Sequence, residues 1–499
     1  VADEAVYEFL DELAGDGIIE LNQAVKPYGR KLIAGKLEEA DLRRDELTPR
    51  QRKELDLYRV SFGTLPEQGK LRLRFNPATA QYRDSVFSVT ASPVLGLSYG
   101  SNGAVAWKNG AKVYGSYGRW AFFAALQDNH QDPLLGMPQY LTRERGGHIK
   151  NGTDFSEMTG GVSYEWKWGD ISFLKDSPVW GSGYAGTNIL SGRAPSFMQV
   201  RLHLKPVRWG EVTWLYGWLN SMVVDSARSF WVTNAYGTDY REEYHTKFIS
   251  ANIFTVTPVP RLYLSAGNSV IWSDPRLTPD FLMPFFFYKS VDHGANSGID
   301  NSNSQMFIDI NSYNIRHLHL YATLFIDELS TARFTTPDYN FFSWKLGVKA
   351  GNLKFLPGLW LTAEYTFTYP LTFQHIVPVL TFENQGYNLG YWLRDNSRSW
   401  YFALDYKPVR AMNIRLWHER SERGPDYQSI GGSRLHLPYL ESVVWRNITS
   451  GIEIRYVITG GVQVKASLVK SNITGEESWT APSLYGLHTI FTGGVVWGF

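Results

Sequence analysis

From about residue 70 onward, apolar residues recur at every second position. Met198, Val200, Leu202 and Leu204 alternate with Gln199, Arg201, His203 and Lys205. Longer series run from Leu318 to Ile326, Leu359 to Tyr369, Ile452 to Ile458 and Val462 to Leu468. A period of two predicts strands with one apolar and one polar face. Before that point the period is helical. Val6, Leu10 and Leu13 form one stripe, which Gly15 and Gly17 end. Pro27 is placed to open a second helix reaching about Ala40, with Leu32, Ile33 and Leu37 facing inward. Thr48-Pro49-Arg50-Gln51 has the form of a capping box, predicting a third helix over about Pro49–Tyr58. Three short helices bury little apolar surface, so they are expected to pack together and to dock on the larger part of the chain.

The strands read as a membrane barrel rather than a soluble sandwich. Full charges and His stand on the polar face, as in Arg201-Leu202-His203-Leu204-Lys205, which predicts a wet interior. Several strands have the length of about 9–11 residues that crosses a bilayer at a tilt. Tight connections, Lys407-Pro408-Val409-Arg410 and Thr459-Gly460-Gly461, alternate with long polar stretches near Gln127–Gly160, Val223–Thr246, Ser273–Ser304 and Pro370–Arg398. Short turns at one rim and long loops at the other are the asymmetry of outer-membrane barrels. The expected fold class is all-β transmembrane: a closed antiparallel barrel of about 18 strands, residues 63–499, behind a small helical bundle, residues 1–62. The last strand places Val495, Trp497 and Phe499 on one face, the pattern of a membrane-insertion signal, and closes the sheet so that no edge meets lipid.

Composition agrees with this layout. The first 58 residues carry 14 acidic and 9 basic side chains but only four aromatics, Tyr7, Phe9, Tyr28 and Tyr58. Over all 499 residues aromatics reach 15%, net charge is +1 and cysteine is absent. The missing basic excess argues against nucleic acid as a partner. The missing cysteine excludes disulfides and thiolate chemistry. No run approaches the roughly 18 apolar residues of a membrane helix. Val1 follows no basic, apolar leader, so the chain is expected to begin at a mature N-terminus.

Enzyme signals are weak. Gly181-Ser182-Gly183-Tyr184-Ala185-Gly186 fits G-x-G-x-x-G, but a strand follows it instead of the required helix. Gly96-Leu97-Ser98-Tyr99-Gly100 fits G-x-S-x-G in a strand-and-turn context that lacks the helix of a nucleophile elbow. His317 and His319 stand two apart on a polar strand face, where lumen histidines are a simpler reading than metal ligands. No enzyme, metal or cofactor is expected. Aromatics beside polar groups fit carbohydrate better. The candidate polysaccharide-binding residues are Trp180, Tyr184 and Arg193, and Tyr387 with Arg394 and Asp395, near Tyr391 and Trp392. Against this, most Trp and Tyr of a barrel form interfacial girdles.

Three stretches resemble the Wzi capsule-assembly family of bacterial outer-membrane proteins. They are Tyr7–Ala14 through Gly17-Ile18-Ile19-Glu20-Leu21, Val179–Tyr184 followed by Arg193-Ala194-Pro195, and Leu361–Tyr365 with Gly386-Tyr387-Asn388-Leu389-Gly390. The resemblance implies an 18-stranded outer-membrane barrel with periplasmic N-terminal helices. It also implies a non-enzymatic lectin that helps attach or organise capsular or other surface polysaccharide. Outer-membrane lipids and the barrel-assembly machinery are the other expected partners. A small-solute channel and an accessory subunit of a larger secretion or glycan-uptake complex remain the alternatives.

Overall fold

The alternation along the chain becomes a closed wall. A computed structural model describes residues 4–62, 72–75, 78–274, 278–295, 301–329, 340–428, 437–459 and 461–498. The wall begins with β1 (Phe87–Gly100), β2 (Val105–Tyr117), β3 (Trp120–Asp132), β4 (Asp154–Trp166), β5 (Gly169–Asp176) and β6 (Phe197–Val207). It continues with β7 (Gly210–Val224), β8 (Tyr244–Val256), β9 (Leu262–Trp272), β10 (Ser302–Ser312), β11 (Leu318–Glu328) and β12 (Phe341–Leu353). The last third is β13 (Leu356–Thr368), β14 (Ser397–Tyr406), β15 (Met412–Arg423), β16 (Trp445–Thr459), β17 (Val462–Gly475) and β18 (Gly486–Trp497). Neighbours pair antiparallel throughout, and β18 returns to β1 through Thr492–Trp497 against Leu95–Gly100. Below that stretch, a short hairpin strand continues the same edge, with 80–83 pairing 91–88 of β1. Val495 and Trp497 lie in this closing strand as expected, and Phe499 lies outside the described residues.

Burial is inside out. Leu361 is 56% exposed and its neighbour Thr362 only 4%; Leu346 is 51% exposed and Lys345 0%. Exposed apolar and buried polar residues alternating on one wall mean that the outer solvent is hydrocarbon. Exposed Trp168, Trp209 and Phe355 occupy the short turns of one rim, where an aromatic girdle belongs. Strands at the other rim run further than the polar pattern suggested. Gln127–Asp132 and Asp154–Gly160, read as loop from sequence, are strand, because the ladder continues beyond the apolar band.

The prefix folds as α1 (Glu4–Gly15), α2 (Arg30–Leu42) and α3 (Pro49–Phe62). Val6, Phe9, Leu10 and Leu13 are buried against α2 and α3, with the Phe9 and Tyr58 rings 5.5 Å apart. The capping box is present: Gln51 N–H donates to Thr48 Oγ1 (3.3 Å) and Thr48 N–H to Gln51 Oε1 (2.9 Å). Two details differ from expectation. The second helix starts at Arg30, after Gly29 rather than at Pro27, and Leu32 faces outward while Ile33 and Leu37 are buried. Among the described residues, no helix is long and apolar enough to cross a membrane.

Candidate functional site

Much of the interior is filled by the chain itself. At the short-turn end, α1 lies against the inner wall with Glu8, Asp11, Glu12 and Asp16 along one side. Glu8 accepts from Arg415 (3.0 Å), Asn413 (3.1 Å) and Arg455. Asp11 accepts from Lys349 (2.6 Å), Tyr313 (2.7 Å) and Tyr184 (2.8 Å). Glu12 takes Lys407 (2.9 Å) and Arg50, and Asp16 takes both Asn352 contacts at 2.7 Å and His317 at 3.0 Å. Burial alone pushes these carboxyls up. At Glu8 the guanidiniums of Arg455 and Arg415 outweigh it, at Asp11 Lys349 does, and at Glu12 Lys407 and Arg50 do, so all three sit below the usual carboxylate range. Asp16 moves the other way, because burial and the Glu12 charge prevail over its hydrogen bonds. Lys349, Lys407, Arg415 and Arg455 of the wall therefore face counter-charges carried in by the chain's own first helix, whereas His203 and Lys205 pair with Asp170 and Glu211 of the wall itself and stay partly exposed.

From the opposite rim, the 177–196 loop descends into the barrel. Its Val179–Trp180 strand pairs with Val25–Lys26 of the prefix on one side and Leu190–Ser191 on the other. Trp180 is 0% exposed and meets Phe307 edge-on. Ser182 N–H and Oγ donate to Asp309 (2.8 and 2.9 Å), and the N–H groups of Tyr184 and Ala185 donate to Glu364 (2.5 and 3.0 Å). Gly181 and Gly186 adopt positive φ (95° and 98°), which frees these N–H groups to converge. The glycine motif thus does hold anions in a backbone nest, and the anions are the protein's own carboxylates. Tyr184 also bonds His319 Nδ1 (2.8 Å), whose ring stacks on Tyr313 at 4.0 Å.

The 369–396 loop packs on this one. Ser191 N–H donates to Leu389 O (2.7 Å), Phe373 lies 5.1 Å from Phe325, and Tyr391 and Trp392 are buried. Tyr387 is 2% exposed, with its hydroxyl on Gly136 O (2.7 Å). Asp395 accepts from Phe373 N–H (2.8 Å) and Gln374 (3.0 Å), and burial, only partly offset by these bonds and Arg423, raises it to about 6.

The structure joins the two sequence patches at one point, where the Arg193 guanidinium lies 5.3 Å from the Tyr387 ring centre. Trp180 and Tyr184 sit deeper. The faces of Trp180 and Tyr387 are taken by protein, and Arg394 is half-exposed. These aromatics are neither girdle nor open loop, because they form the core of inward-folded loops. His317 and His319 do not converge: His317 lies in the turn before β11, at φ 65°, on Asp16. Ser98 lies within β1, its Oγ 3.5 Å from Ala106 O. Among the described residues, no group of three or more His, Asp or Glu is placed to hold a metal. Two broad depressions of about 590 and 850 Å³ lie on the outer wall, lined by Val348, Ala363 and Phe402, and are apolar ledges on the lipid side.

One exposed feature was missed in the polar stretch after β7. Phe230–Asn234 and Gly237–Arg241 form a hairpin at the long-loop rim. Trp231 (69% exposed) pairs with Tyr240 across the strands, and Tyr236 at the tip is 98% exposed. Thr233 and Thr238 bond each other at 3.0 Å on the same face as Trp231. The signal was Phe-Trp-Val-Thr-Asn, a turn, then Gly-Thr-Asp-Tyr-Arg, which alternates within an otherwise polar loop.

No protein-family model and no curated protein matches the chain. Solved structures do. One, at TM-score 0.62 and 14% identity over 100% of this chain and 99% of its own, is Wzi, described as an outer membrane protein involved in group 1 capsule assembly in Escherichia coli and a carbohydrate-binding β-barrel. The chain shares the fold of Wzi. OccK3 of Pseudomonas aeruginosa (TM-score 0.44, 10% identity, 82% of this chain and 95% of that one) and OccAB2 of Acinetobacter baumannii (0.45, 9%, 82% and 97%) are more distant. The Wzi likeness expected from three short motifs is met at the level of the whole fold, an outer-membrane barrel.

Proposed function

We propose that this protein is a non-enzymatic outer-membrane barrel that binds a surface polysaccharide and helps hold or organise it at the cell surface. In this reading the long loops face outward and the helices face the periplasm. The observation that carries it is a filled lumen beneath a loop rim that presents an exposed Trp–Tyr hairpin. Ring faces stack on the apolar faces of sugars, while neighbouring hydroxyl and charged groups meet the sugar hydroxyls. The Wzi fold supports the reading, since that protein is itself described as carbohydrate-binding.

Cells lacking the protein are expected to release polysaccharide that wild-type cells retain, and equal retention would overturn the proposal. Planar-bilayer recording separates it from the channel alternative. The filled interior predicts a silent barrel, and a stable conductance would favour the pore.

A further inference from the structure

Within the glycan-binding reading, we propose that Arg193, Arg394 and Arg423 form a subsite for the carboxylate of an acidic sugar residue at the long-loop end of the barrel. Arg193 is 3% exposed and donates through Nη2 to Met137 O (2.9 Å) and Tyr140 O (2.6 Å). Its Nε and Nη1 are buried without a partner, and among the described residues no carboxylate pairs with it. Its charged neighbour is another cation: burial and then Arg394 pull Arg193 down to about 10. Arg423 repeats the pattern. It is 1% exposed, lies 4.0 Å from the Trp479 ring, uses Nε on Asp395 O (3.2 Å) and Nη2 on Asp426, and leaves Nη1 unpartnered. Arg394 adjoins Arg423, because the carbonyl that accepts from Arg423 Nε belongs to the next residue, Asp395.

Two acids stand nearby, and neither pairs with Arg193 or takes the free Nη1 of Arg423. Asp426 serves Arg423, and Asp395, raised to about 6, has both oxygens committed to Phe373 and Gln374. Burying a guanidinium beside a second one, with donors unused, is unfavourable unless an anion completes the site. A carboxylate matches the planar donor fork of arginine. The half-buried Trp479 ring beside Arg423 adds a flat surface of the kind a pyranose ring packs against. Arg394 is the half-exposed member and gives the ligand its approach. It is held at φ 63°, a conformation non-glycine residues rarely adopt.

The test is calorimetric titration of the full chain in detergent with tetragalacturonate, maltotetraose and inorganic phosphate. Tetragalacturonate is expected to bind about tenfold or more tighter than maltotetraose. Arg394→Asn, a residue that tolerates left-handed φ, is expected to erase that preference, and Arg394→Lys to retain most of it. Equal affinity for the acidic and neutral glycans, unaltered by Arg394→Asn, would overturn this inference and leave the broader glycan reading intact. Binding of neither glycan would overturn both. Phosphate binding as tightly as tetragalacturonate would assign the subsite to simple anions or lipid phosphates instead of an acidic sugar.

Discussion

The two ends of this barrel are closed by opposite chemistries. At the short-turn end, the carboxylates of one helix meet lysines and arginines of the wall, each charge with a counter-charge within hydrogen-bond reach. At the long-loop end, two inward loops close over Trp180, Phe373, Tyr387 and Trp392, and the buried guanidiniums of Arg193 and Arg423 keep unused donors. The saturated end, in the α1 carboxylates and the cations paired with them, has no charge left for a ligand. The unsaturated end does, and it lies on the side that carries the exposed aromatic hairpin. A filled lumen can therefore be finished structure at one mouth and a receptive surface at the other.

The sharpest way to break this contrast is to unpair the saturated end. Lys349→Met leaves Asp11 buried without its cation, and is expected to cost about 3–5 kcal/mol of α1 docking. Hydrogen exchange in α1 should accelerate accordingly, and unchanged exchange would mean the ion pairs do not hold the plug. Tyr184→Phe removes one hydroxyl shared by Asp11 and His319. A loss of about 1–3 kcal/mol is expected in denaturant or thermal unfolding.

Acidification tests both ends together. Glu8, Asp11 and Glu12 are held below their unfolded values of 3.8–4.5, so their contribution is fully present above that range and is lost only as pH falls below it. Asp395 is raised to about 6, so its contribution is full below 3.8 and is lost as pH rises through about 6. Asp16 and Glu54 are also raised, which offsets part of the short-turn response. Between pH 7 and 5, exchange corrected for its intrinsic pH dependence should stay constant in the Glu8–Glu12 turn and slow around Asp395. A parallel response would erase the distinction. The smallest effect on stability belongs to the hairpin. Trp231→Ala and Tyr240→Ala are expected to change it by no more than about 0.5 kcal/mol while lowering polysaccharide retention in cells.

The wall was legible because alternation is a local property. Leu318–Ile326 and Leu359–Phe367 could be assigned a face without knowing what they touched. The plug was not, because its logic is pairwise and distant. Arg415 and Arg455 look like lumen charges until Glu8, some 400 residues earlier, is placed beside them. The sign was nevertheless present in α1, where Glu8, Asp11, Glu12 and Asp16 line one side and Val6, Phe9, Leu10 and Leu13 the other. Aromatic content alone could not separate the buried Trp180 from the exposed Trp231, since both stand in Gly- and polar-rich connections. What distinguishes them is whether the loop turns inward, and that depends on Asp309 and Glu364, which wait inside to receive its backbone.

The edge of β1 is covered by two unrelated stretches laid end to end, Thr492–Trp497 of β18 toward the loop rim and 80–83 toward the turn rim. Such a lap joint fails in stages. Peeling the C-terminal strand away bares only the half of β1 near the loops, while the half toward the short turns keeps its own ladder.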